Sequence, residues 1–377
     1  MLLLIKSGGF TVKKIKYIVV LLIILLSSSI VNGENIYLSG SSCILIDANT
    51  GRILFEKNPH VKMPMASTTK IMTALVALEY GNLEDEVIIT KEAVGIEGSS
   101  IYLREGEIMS LEDLLYGLML RSGNDAAVAI AIHVGGNLEN FIDLMNKKAK
   151  EIGAVNTNFT NPHGLHDDLH YTTAYDLALI TREAFKYEEF AKIAGTKSYI
   201  SNRVENNYYY NKNKTLWEYK GGDGVKTGYT MRAGRCLVSS ATRNGHRLIA
   251  VSLNARDWFN DNYKLLDFGF ENFKPYLIYD KGQFIKKIEV EKGKKKYLDL
   301  VTDSSFTYLL KDDEKSKIKL TVEVPDRVEA PINEGTKIGY LYTFFDGKLI
   351  NKIDLIAKSS VGKSNILERL IERIKGK

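Results

Sequence analysis

The chain contains 377 residues, of which 45% are hydrophobic and 26% charged, and its formal net charge at pH 7 is +5. This length and composition exclude a largely disordered chain and leave room for two folded domains. The positive charge comes from lysines spread along the chain, so it does not indicate nucleic acid as a partner, while a membrane surface remains compatible with it.

The N-terminus has the layout of a secretory signal. Lysines cluster before an apolar run from Tyr17 to Leu26, and the small residues Val31 and Gly33 precede Glu34. The run of about ten apolar residues is too short to cross a bilayer comfortably. We therefore expect residues 1–33 to be a signal peptide and the mature protein to be exported.

Two short apolar segments after the signal predict a β-hairpin. Residues 42–47 and 52–56 have the composition of strands, and residues 49–51 that of the turn between them. Cys43 in the first strand and Cys236 far downstream both lie in apolar runs. They are predicted to be buried as small hydrophobic residues, in preference to forming a disulfide or a metal site.

The next segment places a hydroxyl and an amine on one face of a predicted helix. This helix follows Pro64 and ends near Gly81, and Ser67 and Lys70 near its start are three residues apart. A lysine kept neutral can take the proton of a serine hydroxyl, so the pair is a candidate catalytic unit. The same spacing recurs at Ser316 and Ser360, so it is not decisive alone.

Helical periodicity dominates the following block. Helices are predicted over about 110–120, 125–133, 138–152 and 173–187. Strands are then predicted over 225–229, 235–242 and 248–254, as an antiparallel sheet edge, followed by a helix over 260–268. After residue 273, short alternating runs predict a β-rich second domain with strands over 286–291, 297–301, 318–324, 338–342 and 349–356.

Two further short motifs lie in matching contexts. Ser122-Gly123-Asn124 falls in an interhelical loop and Lys226-Thr227-Gly228 in a predicted strand. Together with Ser67 and Lys70 they form the ordered set found in penicillin-binding proteins and class A β-lactamases. Supporting stretches include 98–103, 117–127, 161–165, 171–177 and 223–229. On these residues the chain resembles the low-molecular-mass penicillin-binding proteins, the serine-type D-alanyl-D-alanine carboxypeptidases.

This resemblance implies an α+β fold. It consists of an antiparallel sheet sandwiched by helices with a helical subdomain beside it, as in the penicillin-binding and β-lactamase-like transpeptidase fold, followed by a small all-β C-terminal domain. The predicted boundaries are residues 1–33 for the signal peptide, 34–273 for the catalytic domain, 274–358 for the β-rich domain and 359–377 for a membrane-anchor helix.

The resemblance also implies roles for individual residues. Ser67 would be the acyl-forming nucleophile, Lys70 its base and Ser122 a proton carrier, with Asn124 binding the substrate amide. The substrate carboxylate would be bound by the last motif and the oxyanion by backbone N–H groups, which assigns substrate binding to Lys226, Thr227, Gly228 and Tyr229. Gly228 is expected to let substrate backbone lie against the strand. No cofactor or metal is implied.

Two lysines converging on one hydroxyl disfavour each other's charge, which supports Lys70 as a neutral base independently of the resemblance. Lys226 would stay charged by meeting a carboxylate. Other cations that could grip that carboxylate are not assigned by the sequence, and they include Lys212, Arg232 and Arg256. No Glu-x-x-Leu-Asn segment offers a deacylating base, so slow turnover of penicillin is expected.

Histidines and aspartates cluster in the loop 161–171, at His163, His166, His170, Asp167 and Asp168. The loop has no thiolate, and its histidine spacing matches no standard zinc helix. Polar residues commonly cap helix starts such as the one at Thr173, and this interpretation is favoured over a metal site.

The expected activity is removal of the terminal D-alanine from peptidoglycan stem peptides, with β-lactam antibiotics as covalent inhibitors. A D,D-endopeptidase or β-lactamase of the same fold would share all three motifs. A non-catalytic wall-binding protein, or a metallohydrolase using the histidine loop, are alternatives from other classes.

The C-terminus predicts an amphipathic helix. Ile366, Leu367, Leu370, Ile371 and Ile374 form one stripe flanked mainly by basic residues. A helix lying in a lipid interface, with 359–362 as a flexible lead-in, is favoured over a helix packed on the β domain. The expected location is therefore the outer face of the cytoplasmic membrane or the cell wall.

Overall fold

The structure is a computed structural model and describes residues 36–365. The predicted signal peptide lies outside the described residues, as does the predicted C-terminal helix from residue 366 onward. The helices are α1 (Lys70–Tyr80), α2 (Leu111–Leu120), α3 (Asn124–Gly135), α4 (Leu138–Glu151), α5 (Ala174–Ala184), α6 (Glu188–Gly195), α7 (Thr215–Glu218) and α8 (Trp258–Asn272). Short 3-10 turns cover Ala66–Thr69, Lys91–Ala93 and Asp312–Lys317.

The strands belong to several antiparallel sheets and one parallel pair. They are β1 (Ser42–Asp47), β2 (Ile53–Lys57), β3 (Glu86–Ile88), β4 (Ile108–Ser110), β5 (Ser198–Ile200), β6 (Tyr208–Tyr210), β7 (Gly222–Thr230), β8 (Gly234–Arg243), β9 (His246–Leu253), β10 (Lys274–Tyr279), β11 (Phe284–Glu291), β12 (Tyr297–Thr302), β13 (Phe306–Leu310), β14 (Ile318–Glu323), β15 (Arg327–Glu329), β16 (Lys337–Phe345) and β17 (Lys348–Ala357). The parallel pair is β11 with β15.

A five-stranded antiparallel sheet, in the order β2-β1-β9-β8-β7, forms the centre of the first domain. Alternate side chains point to opposite faces of a strand, and β1 is buried on both. Ile44 and Ile46 join the core shared with the helical block. On the other face, α8 packs so closely that a Cβ on Gly269 would lie 2.7 Å from Leu45 and 2.5 Å from Leu248. The predicted sandwich of helices around a sheet is confirmed.

Side-chain caps begin several helices of the helical block where the sequence predicts them. Ser110, Asn137 and Thr173 each accept a hydrogen bond from the backbone N–H three residues ahead. The helix predicted over 173–187 is present as α5, which ends at Ala184, three residues before the predicted end. The following helix α6, which begins at Glu188, was not predicted.

The predicted β-rich domain is confirmed. Its main sheet has the order β14-β16-β17-β12-β11-β15, and β10 pairs with β13 separately. The core of this domain contains Leu300, Leu341 and Leu355, each fully buried. All five predicted strands are present, whereas β10, β13 and β15 were missed. These three are short, and β10 is largely exposed and contains Pro275, so their pairing depends on distant partners more than on a local pattern.

The flexible lead-in predicted over 359–362 is wrong. Val361 pairs with Ile332 and is 1% exposed, and Lys363 pairs with Gly293. The backbone N–H of Ser364 donates to Lys292 O at 2.8 Å. These residues therefore belong to the β-rich domain, and an exposed linker can begin only after them.

Arg52, in the turn before β2, joins the first domain to the second. Its Nη2 donates to both carboxylate oxygens of Glu314, at 2.8 and 2.7 Å, and the two side chains are 8% and 13% exposed. Its guanidinium also lies over the rings of Phe345, Tyr308 and Phe273, at 4.5, 5.0 and 5.2 Å from their centroids. This ion pair, in which one guanidinium nitrogen contacts both carboxylate oxygens inside an aromatic cage, connects the two domains.

Replacing Arg52 by methionine should lower the free energy of unfolding by about 3 kcal/mol, because Glu314 is left buried without its counterion. Calorimetric unfolding would measure the loss. The matched control is Arg104→Met, whose partner Glu205 forms an exposed ion pair; it should change stability by less than about 1 kcal/mol. Equal effects of the two substitutions would contradict a special role for Arg52.

Candidate active site

The turn that carries Ser67 is tighter than the predicted helix start. Residues 66–69 form a 3-10 turn, and α1 begins only at Lys70. Ala66 has a positive φ of 49°, which is strained for a residue with a side chain. Thr69 Oγ1 donates to Ala66 O at 2.8 Å and so helps to hold the turn. Ser67 is consequently presented, half-buried, at the end of a buried helix.

The Lys70 amine lies against the Ser67 hydroxyl, as the spacing predicts. Its Nζ is 3.1 Å from Ser67 Oγ, and it also donates to Asn124 Oδ1 and to His163 O, both at 2.7 Å. Lys70 is fully buried. Burial, followed by the charge of Lys226, holds the pKa of Lys70 well below its ordinary value, against the opposing effect of Asp125. A neutral amine this close to a hydroxyl can accept its proton.

The second motif reaches the site through its asparagine. Asn124 begins α3, accepts from Lys70 and donates through Nδ2 to Glu97 O. Ser122 is half-buried, has a positive φ of 61° and is not a hydrogen-bond partner of Lys70. The strained backbone at Ser122 lies at the turn between α2 and α3, where functional residues commonly occur.

Asp125 was missed by the sequence analysis, although it fixes one wall of the site. Its buried carboxylate accepts from Ile101 N, from Leu103 N and from Ser100 Oγ. It therefore ties the loop 97–103 to the start of α3. The only sequence signal was an acidic residue in the first turn of a helix, which is ordinary for a residue that merely favours the helix dipole.

The third motif lies on β7, at an edge of the central sheet. Lys226 is 2% exposed, and its Nζ donates to Thr227 O at 3.0 Å. Burial, and then the charge of Lys212, lower the pKa of Lys226 to about 7. The side chain of Tyr229 is 62% exposed. Because β8 occupies only one edge of β7, the other edge is available to an extended ligand.

Gly228 also has a structural role that the sequence did not predict. A Cβ on Gly228 would lie 2.9 Å from Ser67 N and 3.0 Å from Thr68 N. Real Cβ atoms do not come so close to backbone, so this glycine lets β7 pack directly against the serine turn. The structure thus gives Gly228 a packing role within the protein, while its expected role towards substrate backbone stays a prediction.

The histidine loop, residues 161–171, packs against the turn that carries Ser67. Gly164 has a φ of +92°, and a Cβ there would lie 1.9 Å from Ala66 O. Thr69 Oγ1 is 2.8 Å from His170 Nε2, and Thr160 N donates to His170 Nδ1 at 3.1 Å. Burial lowers the pKa of His170 to about 4 and that of His163 to about 3. Within residues 36–365, no group of three His, Cys, Asp or Glu side chains is placed to hold a metal ion.

Both cysteine thiols are free and buried, as predicted, Cys43 on β1 and Cys236 on β8. Burial raises the pKa of Cys43 to about 12 and that of Cys236 to about 11. Neither thiol is therefore activated as a nucleophile.

Comparison with known proteins places these features in a family. Residues 31–257 match the D-alanyl-D-alanine carboxypeptidase family, and residues 273–363 match the C-terminal domain of penicillin-binding protein 5. The chain is similar to D-alanyl-D-alanine carboxypeptidase DacF of Bacillus subtilis (strain 168), with 37% identity over 337 residues that cover 86% of this chain and 87% of that protein. It is 34% identical over 348 residues to D-alanyl-D-alanine carboxypeptidase DacA of Haemophilus influenzae, covering 88% of each.

Solved structures agree with these relatives. Penicillin-binding protein 5 from Haemophilus influenzae matches with a TM-score of 0.72 and 34% identity, covering 87% of this chain and 99% of that chain. Similarity thus extends through both domains, including the sheet, the helical block and the serine turn between them. The chain belongs to the D-alanyl-D-alanine carboxypeptidase family of penicillin-binding proteins, enzymes that process cell-wall peptidoglycan.

Proposed function

We propose that this chain removes the terminal D-alanine from peptidoglycan pentapeptide stems through an acyl-enzyme on Ser67. The observation that carries the proposal is the fully buried Lys70 amine, 3.1 Å from Ser67 Oγ and with a lowered pKa. Lys70 takes the hydroxyl proton as Ser67 Oγ attacks the amide carbonyl between the two D-alanines. The C–N bond breaks, the departing amine of D-alanine receives a proton, and water later hydrolyses the ester.

The edge of β7 provides the binding geometry for this reaction. An extended peptide lying along β7 directs its terminal carboxylate to Lys226 and Thr227 and its scissile carbonyl to the backbone N–H groups of Ser67 and Tyr229. Asn124 binds the amide of the peptide by exchanging its hydrogen bonds with Glu97 O or Lys70 for bonds to substrate. Meeting a carboxylate favours the charged form of Lys226, whose charge is otherwise disfavoured by burial and by Lys212.

Ser122 is proposed to carry the proton between a lysine and the leaving group. In the structure its hydroxyl is not bonded to Lys70, so the relay requires the hydroxyl to turn towards Nζ or a water molecule to bridge them. The three partners of Lys70 are a hydroxyl, an amide and a backbone carbonyl, so none of them is a carboxylate base. This supports carboxypeptidase activity with slow penicillin turnover over β-lactamase activity.

Export and membrane attachment are also proposed. Peptidoglycan stems lie outside the cytoplasm, which agrees with the signal-peptide layout of residues 1–33. In the part of the chain that the structure describes, no helix has the length and apolar character needed to span a bilayer. We propose that residues 366–377 attach the enzyme to the outer face of the cytoplasmic membrane. Their apolar stripe would lie in the lipid interface, and their basic residues would lie against anionic headgroups.

A labelled penicillin is expected to attach to Ser67, and a pentapeptide ending in D-Ala-D-Ala to release free D-alanine. Ser67→Ala should abolish both signals, and Lys70→Ala should slow acylation by roughly 100-fold or more. Ser316→Ala is the matched control, since Ser316 has the same spacing to a lysine but is exposed in the β-rich domain. Label mapped to another residue, or unchanged acylation of the Lys70 variant, would refute the proposal.

Replacing Lys226 by methionine should raise the thermal unfolding midpoint most at low pH. The pKa of Lys226 is about 7 in the folded protein against an ordinary value of 10.5, so in that interval only the unfolded chain carries the extra proton. The free energy of unfolding of the wild type therefore rises with pH between about 7 and 10.5, and the difference in unfolding midpoint between variant and wild type becomes smaller. Lys220→Met, at an exposed lysine, is the control. A midpoint difference that did not change with pH would contradict the lowered pKa.

Removal of residues 366–377 should release the mature enzyme from anionic lipid vesicles in a sedimentation assay. Its D-alanine release from small peptides should persist, because the shortened chain keeps Val361 and Ser364 in the β-rich domain. Truncation after Ala357 also removes these buried residues and should lower the unfolding midpoint. Continued sedimentation of the shorter deletion would contradict the anchor.

A further inference from the structure

A lysine-rich turn of the β-rich domain lies beside the last described segment of the chain. Residues 292–296 join β11 to β12, and four of these five residues are lysines. Gly293 in this turn forms an antiparallel bridge with Lys363, and Lys294 N donates to Gly362 O at 2.8 Å. Two segments that are remote in sequence therefore form one continuous surface.

Close packing holds this turn in one conformation. A Cβ on Gly293 would lie 2.7 Å from Val290 and 2.9 Å from Val361, so glycine is needed for the turn to pack against the C-terminal segment. Val290 N also donates to Lys296 O at 2.9 Å, which closes the turn. The lysines are therefore carried by backbone that the domain core fixes in place.

Four exposed lysines form what we call the lysine surface, namely Lys294, Lys295, Lys296 and Lys363. Among residues 36–365, no carboxylate lies within ion-pair distance of these four ammonium groups. Lys296 Nζ is 5.4 Å from the centroid of the exposed Tyr297 ring, a contact that does not neutralise its charge. Like charges held close together repel one another, so this surface favours an anionic partner.

The carboxylates at this end of the domain lie beside other cations. Glu329 Oε1 accepts from Lys292 Nζ at 2.9 Å, and Glu291 Oε1 accepts from Arg327 Nη1 at 2.7 Å. The hydrogen bond with Glu291 raises the pKa of Arg327, and two more carboxylates near this guanidinium act in the same direction, those of Glu289 and Asp326. The positive charges of the lysine surface are therefore left uncompensated.

The position of the lysine surface in the chain indicates which anionic partner it meets. Lys363 is three residues before Ile366, where the proposed membrane-attachment segment begins. Three residues span at most about 10 Å, so attachment through that segment brings the lysine surface near the lipid headgroups. Charges attract across about 8 Å at physiological ionic strength, and anionic headgroups complement four lysines.

We propose that the lysine surface binds the anionic lipid headgroups of the membrane to which the chain is attached. The proposal rests on the attachment through residues 366–377 proposed above. Each lysine near an anionic bilayer strengthens binding by about fivefold, which corresponds to about 1 kcal/mol. Four lysines give a binding constant on the order of 10³ M⁻¹, which is weaker than that of a single myristoyl chain. The lysine surface therefore adds to the affinity of the attachment segment and does not replace it.

The opposite end of the same sheet supplies a matched control. Lys317, Lys319 and Lys348 are exposed there, and β17 runs from Lys348 to Ala357, close to the lysine surface. The ten residues of β17 span roughly 30 Å, which is several screening lengths. Substituting these three lysines removes the same charge from the same domain and leaves the lysine surface intact.

The test measures how the mature chain partitions into phosphatidylcholine vesicles that contain or lack phosphatidylglycerol. Combining Lys294→Gln, Lys295→Gln and Lys296→Gln should lower partitioning into the anionic vesicles by roughly 100-fold, and raised salt should reduce this difference. The control combination of Lys317→Gln, Lys319→Gln and Lys348→Gln should change partitioning by less than about twofold. D-Alanine release from a small peptide should be equal in all three proteins, which verifies that the variants fold.

A local probe distinguishes contact with lipid from an effect of overall charge. Cys43 and Cys236 are buried, so a single added thiol can be labelled selectively. A fluorophore attached to the Lys295→Cys variant should be quenched by lipids with spin-labelled headgroups. The same fluorophore on the Lys348→Cys variant should not be quenched.

Equal effects of the two triple variants, or equal quenching at the two labelled positions, would overturn the proposal. Loss of binding to soluble poly(glycerol phosphate) in the first triple variant, with vesicle partitioning intact, would assign the lysine surface to a wall polymer and overturn its contact with lipid. Failure of the unmodified mature chain to bind vesicles of either composition would instead overturn the proposed membrane attachment.

Discussion

A lysine amine buried among neutral hydrogen-bond partners is the constraint on which the rest of this site depends. Lys70 Nζ is held by Ser67 Oγ, Asn124 Oδ1 and His163 O, which come from three separate parts of the chain. Burial makes the charged form of this amine unfavourable and so prepares it to accept a proton. Burial of the amine also costs free energy of folding. The hydrogen bonds and close packing around Lys70 compensate for this cost.

The buried amine is held in place by backbone segments that pack closely against the turn carrying Ser67. Glycine at 228 allows β7 to touch the serine turn, and glycine at 164 allows the histidine loop to touch Ala66 O. Positive φ angles at Ala66 and Ser122 add local strain on both sides of the site. Strained and closely packed backbone persists only where neighbouring elements determine it, so the sheet, α1 and the loop act as one support.

The β-rich domain contributes to position more than to chemistry. The side chain of Arg52 connects the β-rich domain to the hairpin of the central sheet through Glu314 and an aromatic cage. Both side chains of this ion pair are largely buried. The segment up to Ser364 pairs within this domain, so the domain extends beyond its predicted end at residue 358.

The sequence by itself determined the elements and the chemistry that local patterns encode. Apolar periodicity and capping residues such as Ser110 predicted most helices, and the ordered motifs include Lys70, Asn124 and Gly228, which the structure brings together beside Ser67. Contacts between distant residues were decided only by the tertiary structure. The role of Asp125 as an anchor for a loop, the close approach of Gly228 to the serine turn and the docking of Val361 all depend on partners that are remote in sequence. A local pattern reports which conformation a segment favours, whereas burial and hydrogen bonding with a remote partner exist only after the chain has folded.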